Sequence, residues 1–178
     1  NETVWGNFYT ANVSVKRAIV ERAGGFDERR LPFGYEDLDL ALRMHRGDRF
    51  QLLYNRAAGA EHLHAMDLAF WRRRVVRIAA AERRFVALHP ELPTYFRDLF
   101  ADAAARPAVG PAAERLARFV PRRLPVVGPY VWSRADLFYR QALAGPFMHA
   151  WDTADEPQLS LEPSVPASSG GSAPGGPK

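Results

Sequence analysis

The stretch from residue 24 to 40, GGFDERRLPFGYEDLDL, constrains the fold of this chain more than any other. Its two leading glycines supply the positive φ that ends a helix, and a proline and a further glycine then interrupt regular structure. The acidic pair Glu36-Asp37 follows and opens an amphipathic pattern. The sequence therefore predicts a loop that leads into a helix over residues 36–46.

The acidic pair suggests chemistry as well as structure. A carboxylate at a loop-to-helix junction is held firmly and can still reach a ligand, which is what a general base requires. Glu36 and Asp37 are therefore the candidate catalytic residues. The structural alternative is that they only offset the helix dipole, as acidic residues in a first helical turn commonly do.

Length and composition exclude several classes of protein. The 178 residues suffice for about one domain with a hydrophobic core. The absence of cysteine excludes disulfides, thiolate zinc sites and cysteine nucleophiles. There is no run of about 18 apolar residues and no signal-peptide pattern, so neither a membrane span nor a leader is expected.

The basic residues are almost all arginine. Only two of the 24 basic residues are lysine, and the formal net charge is +4. Guanidinium groups match phosphate geometry, so this bias suits phosphate-bearing partners. A GC-rich genome produces the same bias, and this simpler explanation is preferred. A basic pI by itself identifies no partner.

Periodicity and breakers predict the order of the remaining elements. Extended strands are predicted over 4–15, 49–54 and 57–63, and helices over 16–23, 36–46 and 67–88, with a further helical region to about 106. A Pro-rich linker is predicted over 107–129, and an amphipathic helical stretch over 130–151. Residues 152–178 are rich in Pro, Ser and Gly and are predicted to be disordered.

Several motifs in this order resemble a known family. N-F-Y-T-A-N-V-S-V-K-R, G-G-F-D-E, G-Y-E-D-L-D-L-x-x-R and a strand ending in His-x-His are similar to the C-terminal half of family 2 glycosyltransferases. These are inverting, nucleotide-sugar-dependent enzymes of the GT-A fold, and the resemblance covers about residues 1–90.

The resemblance implies a fold class and a division of the chain. The expected fold is α/β, the C-terminal portion of a GT-A-type nucleotide-diphospho-sugar transferase domain, followed by a helical extension and a disordered tail. Residues 1–106 would be the acceptor-side half of the glycosyltransferase domain. Residues 107–151 would be the Pro-rich linker and helical extension, and 152–178 the tail.

The resemblance also implies roles for the acidic pair. Asp37 would be the general base that deprotonates the acceptor hydroxyl, and Glu36 would position the acceptor or the base. A sugar hydroxyl is a poor nucleophile, so attack on the anomeric carbon needs a base on the acceptor side.

Four further residues are implied to lie at the substrate: Asn12, Asp27, Gly34 and Tyr35. Two of them have structural alternatives that the sequence leaves open. Asp27 could make the hydrogen bonds of a turn, which is the preferred explanation, and Asn12 could satisfy backbone groups at a strand end.

His62 matches a position that in some family members ligates the divalent metal of the donor, so Mg²⁺ or Mn²⁺ is the expected cofactor. His64 is the neighbouring candidate. A structural histidine at the end of a strand is the alternative for His62.

One departure from the family pattern is large. The nucleotide-binding βαβ units and the Asp-x-Asp metal motif of the N-terminal half are missing, and Asp37-x-Asp39 lies in a predicted helix, which is the wrong context. The chain is therefore expected to be a fragment of a longer enzyme that does not turn over alone. Its expected partners are a nucleotide-sugar donor and a glycan or lipid-linked acceptor, without nucleic acid. The expected location is the cytoplasm or the inner face of the plasma membrane.

Alternatives from other classes remain. The chain could be a non-catalytic binding module, or less plausibly a basic nucleic-acid-binding domain, for which it carries no motif. The simplest interpretation of the arginines between residues 72 and 84 is a solvated helix face. The alternative is that they are attracted to anionic lipid headgroups. The aromatic residues between 132 and 151, beside Arg134 and Arg140, leave interfacial membrane contact open.

Overall fold

The computed structural model describes residues 2–48, 50–61, 63 and 66–154, with only the backbone of Asp48. The described part is mostly helical, with 57% of it in helices and 3% in strands. Six α-helices run through it: α1 (Arg17–Arg22), α2 (Glu36–Asp48), α3 (Leu68–Leu88), α4 (Phe96–Ala105), α5 (Ala112–Ala117) and α6 (Val127–Thr153). None of the helices in these ranges is long and apolar enough to cross a membrane.

The expected α/β fold of the GT-A type is wrong. The described strands are only β1 (Glu2–Thr3) and β2 (Leu52–Leu53), which form one antiparallel pair with Glu2 opposite Leu53. Two pairs of residues do not make a layer on which helices could pack. The chain instead buries its apolar surface between helices.

The strand predicted over 4–15 fails for a physical reason. Residues Trp5–Asn7 form a 3₁₀ turn, and Phe8 is buried against α2 with Leu40, Ala41 and Met44. Trp5 and Phe8 therefore pack in a cluster against α2 rather than on one face of a sheet. Over 57–61 the structure has turns and irregular backbone, and the strand predicted over 49–54 reduces to β2.

The predicted helices at 16–23, 36–46 and 67–88 are confirmed as α1, α2 and α3, and the helical region to 106 contains α4. The last stretch, predicted over 130–151, is confirmed as α6. Asp67 caps α3, because its carboxylate accepts the backbone N–H of Phe70 at 2.6 Å. The end predicted for α2 differs slightly, since the helix continues through Gly47.

The larger core lies between α3, α4 and α6. Its fully buried members are Val75, Ala79, Phe100, Ala144 and Phe147. The rings of Phe100 and Phe147 lie 4.8 Å apart and join α4 to α6. Burial of these side chains provides most of the driving force for packing the three helices.

Helix α3 connects this core to the N-terminal part of the chain. Phe85 contacts the Tyr35 ring at 4.9 Å, and His89, just beyond α3, binds the buried Asp39 of α2. The loop before α2 is thus fixed against α3. Helix α5 lies within the segment predicted to be a linker and packs against α6. Of the tail predicted to be disordered over 152–178, Asp152 and Thr153 belong to α6, and the residues from 155 onward lie outside the described part.

Candidate functional site

The loop that precedes α2 has an unusual backbone. Gly34 and Tyr35 both have positive φ, at 71° and 65°. A Cβ on Gly34 would lie 3.3 Å from the Cβ of Ala81, so α3 leaves little room for a side chain there. Tyrosine rarely adopts this conformation, which costs about 1–3 kcal/mol and persists only where the surroundings enforce it.

The surroundings of Tyr35 show what enforces it. Its ring packs on Phe85, and its hydroxyl donates a hydrogen bond to the Glu82 carboxylate. Burial, followed by the charge of Glu82, raises the pKa of Tyr35 well above its usual range. Tyr35 is therefore a neutral hydrogen-bond donor at physiological pH.

Glu82 is itself buried, with 1% of its surface exposed. Its carboxylate accepts the backbone N–H groups of Tyr95, Phe96 and Arg97 at 2.6, 2.8 and 3.0 Å. These are the groups that a helix N-terminus leaves without partners, so a residue of α3 caps α4. The same carboxylate holds Tyr35, and the loop before α2 is coupled through it to the start of α4.

The candidate catalytic pair follows this anchored loop directly. Glu36 and Asp37 are both half-buried in the first turn of α2. The Oε2 atom of Glu36 is buried and is hydrogen-bonded to no described residue. Buried carboxylate oxygens almost always have a donor, so this atom calls for an explanation.

Asp37 lies beside a different set of groups. The backbone N–H of Leu38 donates to its Oδ1 at 2.9 Å. Helical periodicity places Asp37 one turn before Leu40 and Ala41, on the face that packs against the N-terminal segment. Glu36 and Asp37 therefore do not share one face of α2.

A third carboxylate of the motif has a structural role. Asp39 is 2% exposed, and its two oxygens bind different partners, Arg43 at 2.8 Å and Nε2 of His89 at 2.8 Å. Arg43 also donates to the carbonyls of Ala23 and Gly25. The Asp39–Arg43 pair is a salt bridge at i, i+4 spacing, and it ties the end of α1 to α2.

Sequence reasoning missed this network. The Asp-x-x-x-Arg spacing was a readable signal, since it places both side chains on one helix face. The contributions of His89 and Glu82 had no such signal, because each lies tens of residues from its partner in the loop or helix α2.

Asp27 lies in a different environment from the acidic pair. Its carboxylate accepts hydrogen bonds from the side chain and the backbone N–H of Arg30, which lower its pKa. Asp27 therefore makes the hydrogen bonds of a turn, which was the preferred structural explanation for this residue. Residues 23–30 and Arg43 line an open cavity of about 520 Å³. Glu36 and Asp37 do not line it.

The other predicted substrate and metal residues lie apart. Asn12 is exposed, and its amide donates to the Ala58 carbonyl at 2.8 Å, which ties two loops together. His62 and His64 lie outside the described residues. Within the described ranges no three His, Asp or Glu side chains are grouped so that they could hold a metal ion. Because the expected ligand His62 lies outside these ranges, the Mg²⁺ or Mn²⁺ cofactor stays a prediction.

Comparisons with known proteins returned no match: no family model, no curated protein and no solved structure is similar to this chain.

Proposed function

We propose that this chain is the acceptor-side part of an inverting glycosyltransferase. It would present an acceptor hydroxyl, on a glycan or a lipid-linked glycan, to a nucleotide-diphosphate sugar. The proposal does not depend on a fold class, because the same chemistry occurs on unrelated folds and function must be argued from the site. The reaction would take place in the cytoplasm or at the inner face of the plasma membrane.

The observation that carries the proposal is the orphaned carboxylate oxygen of Glu36. It follows two successive residues with positive φ, and α3 holds those residues in place. Strained backbone and unpaired buried polar atoms are both found preferentially at functional sites. A second hydroxyl of the acceptor would donate the missing hydrogen bond to Glu36 and so position the acceptor at the start of α2, while the reacting hydroxyl lies at Asp37.

The proposed chemistry assigns one step to Asp37. The acceptor oxygen forms a bond to the anomeric carbon, the bond from that carbon to the diphosphate breaks, and the nucleoside diphosphate leaves with the electron pair. The hydroxyl proton goes to the carboxylate of Asp37. A base placed in this way contributes about 10²–10⁴-fold to the rate.

Donor binding is assigned elsewhere. The described residues contain neither a nucleotide-binding βαβ unit nor a group that could hold Mg²⁺ or Mn²⁺. We place the nucleotide sugar and its metal on other residues and assign them no contact here.

Acceptor binding tests the role of Glu36 directly. Saturation-transfer NMR or a glycan array on the 178-residue chain would identify an acceptor. We expect Glu36→Gln, which retains the shape but not the charge, to weaken its binding about 10-fold or more, since hydrogen bonds to charged groups contribute about 1.5–3 kcal/mol. Asp98→Asn is the matched control, because Asp98 is an acidic residue in the first turn of another helix.

Equal acceptor binding by wild type and Glu36→Gln would refute the assignment of Glu36. Binding lost equally in Asp98→Asn would indicate a general effect of charge and would refute it as well.

One observation favours a second function, a glycan-binding module without transferase activity. The open cavity at residues 23–30 lies apart from Glu36 and Asp37, and it contains the exposed ring of Phe26 beside Asp27 and Glu28. Aromatic rings next to carboxylates suit sugar binding. This alternative predicts that Phe26→Ala abolishes glycan binding while Glu36→Gln leaves it unchanged.

A further inference from the structure

The corner between α5 and α6, residues 115–134, exposes an unusual amount of apolar surface. Phe119 is 83% exposed, Val126 84% and Tyr130 65%. Other exposed apolar side chains adjoin them in the same segment: Leu116, Leu124 and Val127. Single exposed apolar residues are ordinary, but six of them within one short segment are typical of an interaction surface.

Close contacts hold the backbone of the corner in place, and these side chains are exposed in the conformation that the contacts fix. Gly128 packs so closely that an added Cβ would lie 2.5 Å from the carbonyl oxygen of Arg122. The indole N–H of Trp132 donates to the Val120 carbonyl at 2.9 Å. These contacts bring the loop after α5 against the first two turns of α6.

Backbone strain at Val126 supports the same conclusion. This β-branched residue has φ +60° and ψ −54°, and the N–H of Val127 donates to the Pro125 carbonyl at 2.6 Å. That geometry is a γ-turn of the rare and strained form. Strain of this kind is retained where the surroundings impose it, commonly at binding sites. Here it holds Val126 out in solvent.

The charge of the corner is one-sided. Residues 115–134 contain five arginines and no aspartate or glutamate. Arg118 pairs with Glu114, just outside the segment, and the Arg122 guanidinium lies 5.9 Å from the centre of the Trp132 ring. Arg122 and Arg123 are exposed and follow each other directly at the tip.

We propose that the α5–α6 corner docks this protein on an anionic lipid surface. Exposed aromatic and aliphatic side chains would enter the interface between headgroups and acyl chains, while the arginines contact lipid phosphates. Each arginine near such a surface adds to the electrostatic attraction, and the prolines limit the entropy lost on binding. The charge of the corner favours this partner over an apolar protein surface.

The corner differs from the surfaces that the sequence suggested. On α3, Arg74 and Arg77 lie over the Phe33 ring and Arg83 binds carbonyls at the end of α6, so half of that stripe is engaged within the protein. Trp151 packs with Phe147 in the core. The lipid-facing surface is therefore placed at the beginning of α6 rather than along it.

Vesicle co-sedimentation of the complete chain tests the proposal. We expect binding to phosphatidylcholine vesicles that contain phosphatidylglycerol, and little to phosphatidylcholine alone. The double variant R122Q/R123Q should reduce the partition coefficient about 10- to 30-fold, from about 1 kcal/mol for each arginine. F119S should reduce it about 10-fold or more, from the apolar area that no longer inserts.

The matched controls are R72Q/R73Q, an adjacent exposed pair on α3, and V4S, an exposed apolar residue far from the corner in sequence. Both should bind like wild type. Failure to bind anionic vesicles at physiological salt would overturn the proposal, as would loss of binding in R72Q/R73Q with retention in R122Q/R123Q. A dimer in the absence of lipid that F119S dissociates would show that a second copy covers the corner, and would also overturn it.

The assay needs no sugar transfer. A negative result in the vesicle assay would therefore not refute the proposed glycosyltransferase function. A negative result in the acceptor-binding assay would likewise not refute lipid binding by the α5–α6 corner.

Discussion

Tyr35 shows how a single residue can fix a site. Its left-handed backbone, which is costly for tyrosine, is maintained by a ring contact with Phe85 and a hydrogen bond to Glu82. The residue after it is Glu36, whose buried oxygen has no described partner. The contacts of Tyr35 with Phe85 and Glu82 of α3 thus fix the backbone from which Glu36 and Asp37 project.

Tyr35→Phe isolates the hydrogen bond from the ring contact. We expect the free energy of unfolding to fall by about 1–2 kcal/mol, because the Glu82 carboxylate loses a buried donor. Urea denaturation at neutral pH measures this loss. A change within error would show that the hydroxyl does not help to hold the loop.

The pH dependence of stability should differ between wild type and Tyr35→Phe. The folded-state pKa of Tyr35 is raised, so its contribution is fully present below the unfolded-state pKa of about 10 and is lost as the pH rises above that value. The stability difference between the two proteins should therefore shrink between neutral pH and strongly alkaline pH. A constant difference over that interval would contradict the burial of the Tyr35 hydroxyl.

At the scale of the elements, helix ends are held by side chains from other helices. Glu82 of α3 caps the start of α4, and Arg83 of α3 binds the last carbonyls of α6. Arg43 of α2 binds the carbonyls of Ala23 and Gly25 at and just after the end of α1, and Gln141 of α6 binds carbonyls in the last turn and at the C-cap of α4. Because these caps come from distant positions, local signals at the helix ends could not reveal them.

Glu82 accepts three backbone N–H groups at the start of α4 and also contacts Tyr35. Glu82→Ala leaves three backbone N–H groups and the Tyr35 hydroxyl without a partner, and we expect a loss of about 3 kcal/mol or more. Glu82→Gln keeps the shape and one acceptor oxygen, so it should lose less. Thermal unfolding followed by circular dichroism measures both, and equal losses would contradict the capping role.

Gly128 is required by a close approach of two elements. Gly128→Ala would place a methyl group 2.5 Å from the Arg122 carbonyl oxygen, and we expect a loss of about 1–3 kcal/mol from overpacking. Gly110→Ala is the control, since no atom lies within 4 Å of a Cβ there. Equal melting temperatures for the two variants would contradict the described packing at the α5–α6 corner.

At the scale of the whole molecule, the sequence predicted the helices and mispredicted the fold class. The helices were readable because periodicity, Asp67 and the residue before Pro90 are local signals. The strand at 4–15 was mispredicted, since apolar residues such as Trp5 and Phe8 suit a cluster against α2 as well as a strand. The α/β expectation came from motifs within residues 1–90, whereas the larger core is formed by α3, α4 and α6.

The candidate site was predicted in part. The Gly-Tyr-Glu-Asp motif marked the junction before α2, where the structure has its strained loop and its orphaned oxygen. The residues that hold the loop, Glu82 and Phe85, lie about fifty positions away along the chain and act through tertiary packing, which periodicity does not report.

The most direct test of the proposed function is a sugar-transfer assay that compares Asp37→Asn with wild type, with Asp98→Asn as control. Asparagine keeps the size of the side chain but cannot accept the hydroxyl proton. We predict a fall in kcat of about 10²–10⁴-fold, with donor binding and unfolding nearly unchanged. Turnover like that of wild type in Asp37→Asn would contradict the account.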